Sequence, residues 1–168
     1  MKTIFVFIFF CVPFLSQAQN ESTNTDTSKI VSKFPNGGSR VVGRKGGNGE
    51  YIRYYENGQI METGTYINGK LNGQWLEYFY SGQLKLKASY TNGVLNGEYE
   101  KYYVNGELKE RREYSNGKRH GEWIKNHANG KTKEQRSYVN GKKDGVWILY
   151  NEKGKPIRKA TFVNGVPD

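Results

Sequence analysis

His120 and His127 are the two imidazoles of a 168-residue chain. With Glu50, Glu98 and Glu122 they are the groups best suited by type to hold a metal or move a proton. Their spacing argues against both roles. Neither histidine has a cysteine or a second histidine at ligand spacing, and His120 precedes Gly121 just as Asn48, Asn72, Asn96 and Asp144 precede glycines of their own. That is a place for a turn residue. Each of the three glutamates follows a glycine at the same point of a recurring segment, and a carboxylate repeated once per segment makes no single pocket. They are expected to face basic neighbours. Glycine is abundant, but each falls where a turn is expected and none opens a helix, so no phosphate-binding loop is present. The residues therefore predict no catalytic centre, no metal site and no cofactor.

What remains is the chemistry of a surface. Lys85, Lys109 and Lys133 recur at one spacing, and Tyr78, Tyr102 and Tyr150 recur at the same spacing with Asn126 between the last two. Lys87, Arg111 and Lys159 recur beside them. Tyrosines flanked by Lys and Arg form a candidate binding surface for an anionic partner. The same lysines also keep an open sheet soluble and its edges unpaired.

The elements that would position these groups are written in the glycines. Gly49, Gly73, Gly97, Gly121 and Gly145 lie 24 residues apart and open five similar units, 49–72, 73–96, 97–120, 121–144 and 145–168. A fixed period of this size means stacked supersecondary units. Each unit carries two further glycines, at 58, 82, 106, 130 and 154 and at 69, 93, 117, 141 and 165, most of them preceded by Asn. Asn-Gly between alternating apolar runs predicts a two-residue type I′ turn, so each unit reads as a β-hairpin. The fold class is all-β, an elongated single-layer antiparallel meander.

A two-residue turn at Asn57-Gly58 pairs 55 with 60, 53 with 62 and 51 with 64 on one face, and 54 with 61 and 52 with 63 on the other. In this frame Tyr51, Trp75, Tyr99, Trp123 and Trp147 lie across from Gly64, Ala88, Arg112, Arg136 and Ala160. A ring over a tiny residue or a guanidinium is a favourable cross-strand pair, so this is the expected packed face. The column Tyr66, Tyr90, Tyr114, Tyr138 and Phe162 completes it. On the opposite face Tyr78 and Tyr102 are expected across from Lys85 and Lys109. The chain carries a net charge of +10, and the five units carry −1, +1, +1, +3 and +2 in order. The basic excess lies in the C-terminal half.

Ahead of the repeats, residues 1–18 read as a signal peptide. Lys2 is followed by an apolar run from Ile4 to Leu15 and by Ser16-Gln17-Ala18, with cleavage expected after Ala18. Removal would take the single cysteine, Cys11, and leave no disulfide or thiolate site. Residues 19–33 are rich in Ser, Thr, Asn and Asp and read as a flexible linker. Residues 34–48 look like a shortened repeat capping the array. The expected address is secreted, periplasmic or cell-envelope.

The units at Gly73 (Gly73, Trp75, Tyr78, Phe79, Gly82, Tyr90, Asn92, Gly93) and Gly97 carry a pattern that resembles the MORN repeat in its bacterial variant form. The resemblance covers 49–168, and proteins of this kind are often labelled YwqK-type antitoxins. The fourth unit departs from it with Asn126 and His127 in place of an aromatic pair, and the fifth with Asn151 and Lys153 at the turn. The resemblance implies an elongated, non-catalytic, ligand- or protein-binding sheet.

The function expected is an exported, non-enzymatic scaffold for a protein or an anionic surface, such as a lipid headgroup or an acidic glycan. Contact with a membrane surface and self-association both fit an open sheet with an apolar face. Nucleic acid fits the charge but not the address. Two alternatives stand beside this reading, a cell-wall carbohydrate-binding repeat protein and a toxin-neutralising antitoxin or immunity protein.

Overall fold

The computed structural model describes residues 41–168. The expected signal peptide, the linker and the first part of the cap repeat lie outside the described residues. Among the described residues fourteen strands form one antiparallel sheet. They are β1 (Val41–Val42), β2 (Gly49–Tyr54), β3 (Ile60–Ile67), β4 (Lys70–Leu71), β5 (Gly73–Tyr78), β6 (Leu84–Thr91), β7 (Val94–Tyr102) and β8 (Leu108–Ser115), then β9 (Lys118–Asn126), β10 (Thr132–Val139), β11 (Lys142–Lys143), β12 (Gly145–Tyr150), β13 (Pro156–Val163) and β14 (Val166–Pro167). The long strands pair in sequence order, β3 with β5 and β10 with β12, while the short β4 and β11 pair only with β3 and β10. The sheet does not close, and the five-hairpin meander is the architecture that the 24-residue period predicts.

The two kinds of turn differ, which corrects one expectation. Asn68, Asn92, Asn116, Asn140 and Asn164 have φ near +50°, and the glycine after each is also positive. These are the type I′ turns. At Asn57-Gly58 only the glycine is positive. Gly58 donates its N–H to Tyr55 and Tyr55 donates to Gln59, so the loop holds three residues, a type I turn followed by a left-handed glycine. One positive φ suffices there, which is why Ser81 and Lys153 can replace Asn at the middle position.

The longer turn also shifts the register beside it. Tyr51, Ile52 and Arg53 pair with Gly64, Thr63 and Glu62 as expected, but Tyr54 pairs with Ile60 and leaves Met61 as a bulge. The same shift recurs where Tyr78 meets Leu84, Tyr102 meets Leu108 and Tyr150 meets Pro156. In the fourth unit it falls between Thr132 and Glu134. The fourth and fifth units keep the regular turn despite their unusual residues: His127 and Asn151 donate to Lys131 and Lys155 as Tyr55 does to Gln59.

Hydrogen bonds along both margins join one unit to the next. Gly93, Gly117, Gly141 and Gly165 donate their N–H to Leu71, Leu95, Arg119 and Lys143 of the preceding unit at 2.7–2.8 Å. On the other margin the Tyr55 hydroxyl donates to the Tyr78 carbonyl at 2.7 Å and the Tyr103 hydroxyl to the Asn126 carbonyl at 2.9 Å. Hairpins that would be marginal alone are thereby coupled to their neighbours.

The core is one-sided. Tyr51, Tyr66 and Trp75 are buried together, with Val41, Leu71, Leu86 and Tyr90 packed against them. Tyr51 and Trp75 stack with ring centres 5.9 Å apart. Gly64 lies beneath Trp75 so closely that a Cβ there would sit 2.6 Å from Cε3 of the indole. Absence of a side chain at 64 is therefore what lets the ring lie flat on the sheet.

Candidate functional site

On the packed face the ring columns pair as the sequence predicts: Trp75 with Ala88, Tyr99 with Arg112, Trp123 with Arg136 and Trp147 with Ala160. The two arginines do more than face one ring. Arg112 lies 5.4 Å from the Tyr99 ring centre and 4.9 Å from that of Trp123, and Arg136 lies 4.3 Å from Trp123 and 4.7 Å from Trp147. Rings and guanidinium groups alternate along the sheet. Arg119 and Lys143 extend the pattern, Arg119 over Trp123 and Tyr138, and Lys143 over Trp147 and Phe162.

Sequence reasoning missed Arg119 and Lys143. The signal was available: a type I′ turn pairs Tyr66 with Leu71, so the column Leu71, Leu95, Arg119, Lys143 shares the packed face. That column changes from apolar to cationic between the second and third units. A column of carboxylates was also missed. Glu62 is buried, accepts from the Tyr51 hydroxyl at 3.0 Å and pairs with Arg53 at 3.3 Å. Glu110 is buried, accepts from Trp123 Nε1 at 2.8 Å and pairs with Arg112 at 2.6 Å. Glu134 pairs with Arg136. Burial and the Glu62 bond push the Tyr51 hydroxyl up to about 12.

The opposite face is less basic than its composition suggests. Lys87, Arg111 and Lys159 lie in the expected register across from Leu76, Glu100 and Ile148. Lys87 pairs with Glu98 at 3.2 Å and Glu100 at 3.7 Å, and the Glu98 hydrogen bond holds its ammonium above the ordinary range. Arg111 pairs with Glu122 at 3.3 Å, and Gln135 donates to the same carboxylate. Glu98 and Glu122 thus meet basic neighbours. The Tyr102 hydroxyl donates to Glu100 at 2.7 Å, and burial together with that bond raises it to about 12. Tyr150 donates to Gln135 at 3.3 Å.

The lysines at the bulge do not stand across from the tyrosines, which corrects the assumed register. Tyr78 and Tyr102 pair with Leu84 and Leu108, leaving Lys85 and Lys109 as the extra residues. Lys85 reaches Glu77 at 3.3 Å and Lys109 lies 5.2 Å from the Tyr103 ring centre, both of them residues of the packed-face columns. Lys133 is the bulge residue of the fourth unit and is exposed. The nine candidate residues are therefore divided between the two faces.

His127 occupies a structural place. Its Nε2 lies 3.3 Å from the Tyr150 carbonyl, one unit on, the same link that Tyr55 and Tyr103 make. Among the described residues, no group of three or more His, Cys, Asp or Glu is arranged to hold a metal.

A cleft of about 280 Å³ opens at the C-terminal end of the packed face. Trp147, Phe162 and Ala160 line it together with Arg136, Lys143, Arg158 and Glu134. Lys143 and Arg158 are exposed and, among the described residues, form no ion pair.

An open ladder of equivalent hairpins, tied margin to margin, defines a β-repeat protein. The family described as MORN repeat variant matches residues 48–68, 71–92, 95–116, 119–140 and 143–164, and the chain belongs to it. No curated protein matches the chain. Repeats of this family are a non-catalytic type associated with binding and scaffolding.

Proposed function

We propose that the protein is a non-enzymatic contact scaffold, exported from the cytoplasm, whose two C-terminal units bind an anionic partner. One observation carries the reading. Of the ten Lys and Arg side chains in the first three units, five are in ion pairs: Arg53, Lys85, Lys87, Arg111 and Arg112. Of the ten in the last two units, only Arg136 is paired among the described residues. Unneutralised charge collects at one end of the array, where its field adds and attracts a partner of opposite sign. Cations kept only for solubility would not need to be segregated in this way.

The export part of the reading rests on the apolar run at 4–15 and the small residues ending at Ala18. Mass spectrometry of the protein recovered from the envelope or medium should give an N-terminus at Gln19. An intact Met1 in a cytoplasmic fraction would refute it.

Binding is tested with polyglutamate and with vesicles containing phosphatidylglycerol, each at low and high salt, against phosphatidylcholine vesicles. We expect association with at least one anionic probe, weakened as the Debye length falls from about 10 Å to about 3 Å. A Lys131→Glu, Lys153→Glu variant should bind less. Equal association with neutral vesicles, or none with any anionic probe, would remove the proposal.

A further inference from the structure

The cleft at the C-terminal end of the packed face is lined by a residue whose counterparts in the other described units lie against rings. Gly64 is covered by Trp75, fully buried Ala88 pairs with Tyr99, Arg112 meets Trp123 and Arg136 meets Trp147. In each case the residue is roofed by the ring of the following unit. Ala160 holds the same position in the fifth unit, and it lines an open cleft walled by Trp147 and Phe162.

The charge around the cleft is also reversed. Arg158 occupies the column that holds Glu62, Glu110 and Glu134 in other units, where each carboxylate is hydrogen-bonded or paired within the sheet. Lys143 rises from the margin and lies 4.4 Å from the Trp147 ring centre and 4.7 Å from that of Phe162. Arg136 completes the cationic rim and is the one that already has its own acid, Glu134. A group entering the cleft thus meets aromatic surface along its walls and two cations that, among the described residues, have no acid partner.

We propose that the cleft over Ala160 receives an aromatic side chain flanked by carboxylates, presented by an acidic segment of a partner protein. The ring would lie over Ala160 beside Trp147 and Phe162, whose own rings already pack on each other with centres 4.8 Å apart, and its neighbouring carboxylates would reach Arg158 and Lys143. At about 280 Å³ the cleft lies at the small end of ligand sites and suits one large side chain. An aromatic anchor desolvated at the centre, with charge at the rim, is how short peptide contacts gain affinity and orientation. This inference rests on the anionic partner proposed above and names its chemistry and its seat.

The test uses the full chain and a fluorescein-labelled peptide with one Trp between Asp and Glu residues, read by polarisation. Replacing the peptide Trp with Ala, or its acids with Asn and Gln, is expected to weaken binding by about tenfold or more each. Ala160→Phe fills the cleft from within and should abolish peptide binding while leaving polyglutamate binding unchanged. Arg158→Glu restores the residue type of three other units, so it should fold normally, and it should weaken the peptide by about tenfold. Thermal unfolding of both variants checks that the array is intact, and the Arg158 variant carries the test if Ala160→Phe fails to fold. Polyglutamate binding with a peptide that does not bind, or that binds regardless of its Trp or of Arg158, overturns the cleft alone. Loss of binding to polyglutamate and to anionic vesicles as well overturns both readings.

Discussion

Arg136 lies between two indoles, its guanidinium carbon 4.3 Å from the Trp123 ring centre and 4.7 Å from that of Trp147. A planar cation between two rings on a partly buried surface is worth more than an exposed pair. A double-mutant cycle of Arg136→Ala and Trp123→Ala, read by urea unfolding, should give a coupling of about 0.5–2 kcal/mol. Arg136→Lys should keep less than half of it, because an ammonium cannot lie flat against both indoles or fork to Glu134. Strictly additive single effects would show that the stacking contributes nothing.

The Tyr51–Glu62 bond ties stability to alkaline pH. The Tyr51 hydroxyl is raised from 10.0 to about 12 in the folded protein, first by burial and then by its bond to Glu62. Its folded value exceeds its unfolded one, so the stabilisation is complete below pH 10 and is lost as pH rises toward 12. Tyr102, also raised to about 12, acts in the same direction. Unfolding free energy should therefore fall between pH 10 and 12, and Tyr51→Phe should flatten that fall. A Tyr51→Phe profile parallel to that of the parent would contradict the assignment.

Gly64 sets the height of Trp75 above the sheet. A methyl group there would sit 2.6 Å from Cε3 of an indole that is only 7% exposed. Gly64→Ala should destabilise by about 1–3 kcal/mol through overpacking, with a shifted tryptophan emission reporting the displaced ring. Unchanged stability would mean that the ring has room to lift.

The type I′ turns need a positive φ at both central residues, and Asn116 supplies one at +48°. Its N–H is also capped by the Asn96 side chain of the preceding unit at 3.1 Å. Asn116→Val, β-branched in a left-handed conformation, should cost about 1–2 kcal/mol or more. Asn96→Ala should cost about 1 kcal/mol by removing the cap. If the Val variant melts like the parent, the turn is not the tight form described.

His127 offers a gain. It links to the Tyr150 carbonyl at 3.3 Å where tyrosines in two other units link at 2.7 and 2.9 Å. His127→Tyr should be neutral or stabilising by about 0.5 kcal/mol, as substitutions toward a repeat's own common residue tend to be, whereas His127→Ala should lose about 1 kcal/mol. A destabilised Tyr variant would show that the fourth unit differs from the others in shape.

The architecture was legible because period-24 glycines and Asn-Gly pairs act locally. Turn chemistry fixes a hairpin without reference to anything distant, and the pairing of Trp123 with Arg136 followed directly. The side chains near the other turn were not legible in the same way. Asn57-Gly58 looks identical to Asn68-Gly69 as a dipeptide, yet one closes a three-residue loop and the other a two-residue loop. That single extra residue moves Lys85 and Lys109 off the tyrosine register. The variable middle residue, Asn57, Ser81 and Lys153, was the available hint, since Ser and Lys tolerate a left-handed conformation poorly. The cleft was illegible for another reason: it depends on which rings roof which neighbours, a relation between units and not within one.

The margin bonds, from each turn glycine to the unit before it, have a metric consequence. Every repeat lays down two strands and so advances the array by about 10 Å, with no joint where the spacing could drift. Gaining or dropping one copy would lengthen or shorten the molecule by that fixed step while leaving each remaining junction as it was. The chain is in this sense a ruler, and the distance from its N-terminal edge to the cationic end is set by how many graduations it carries.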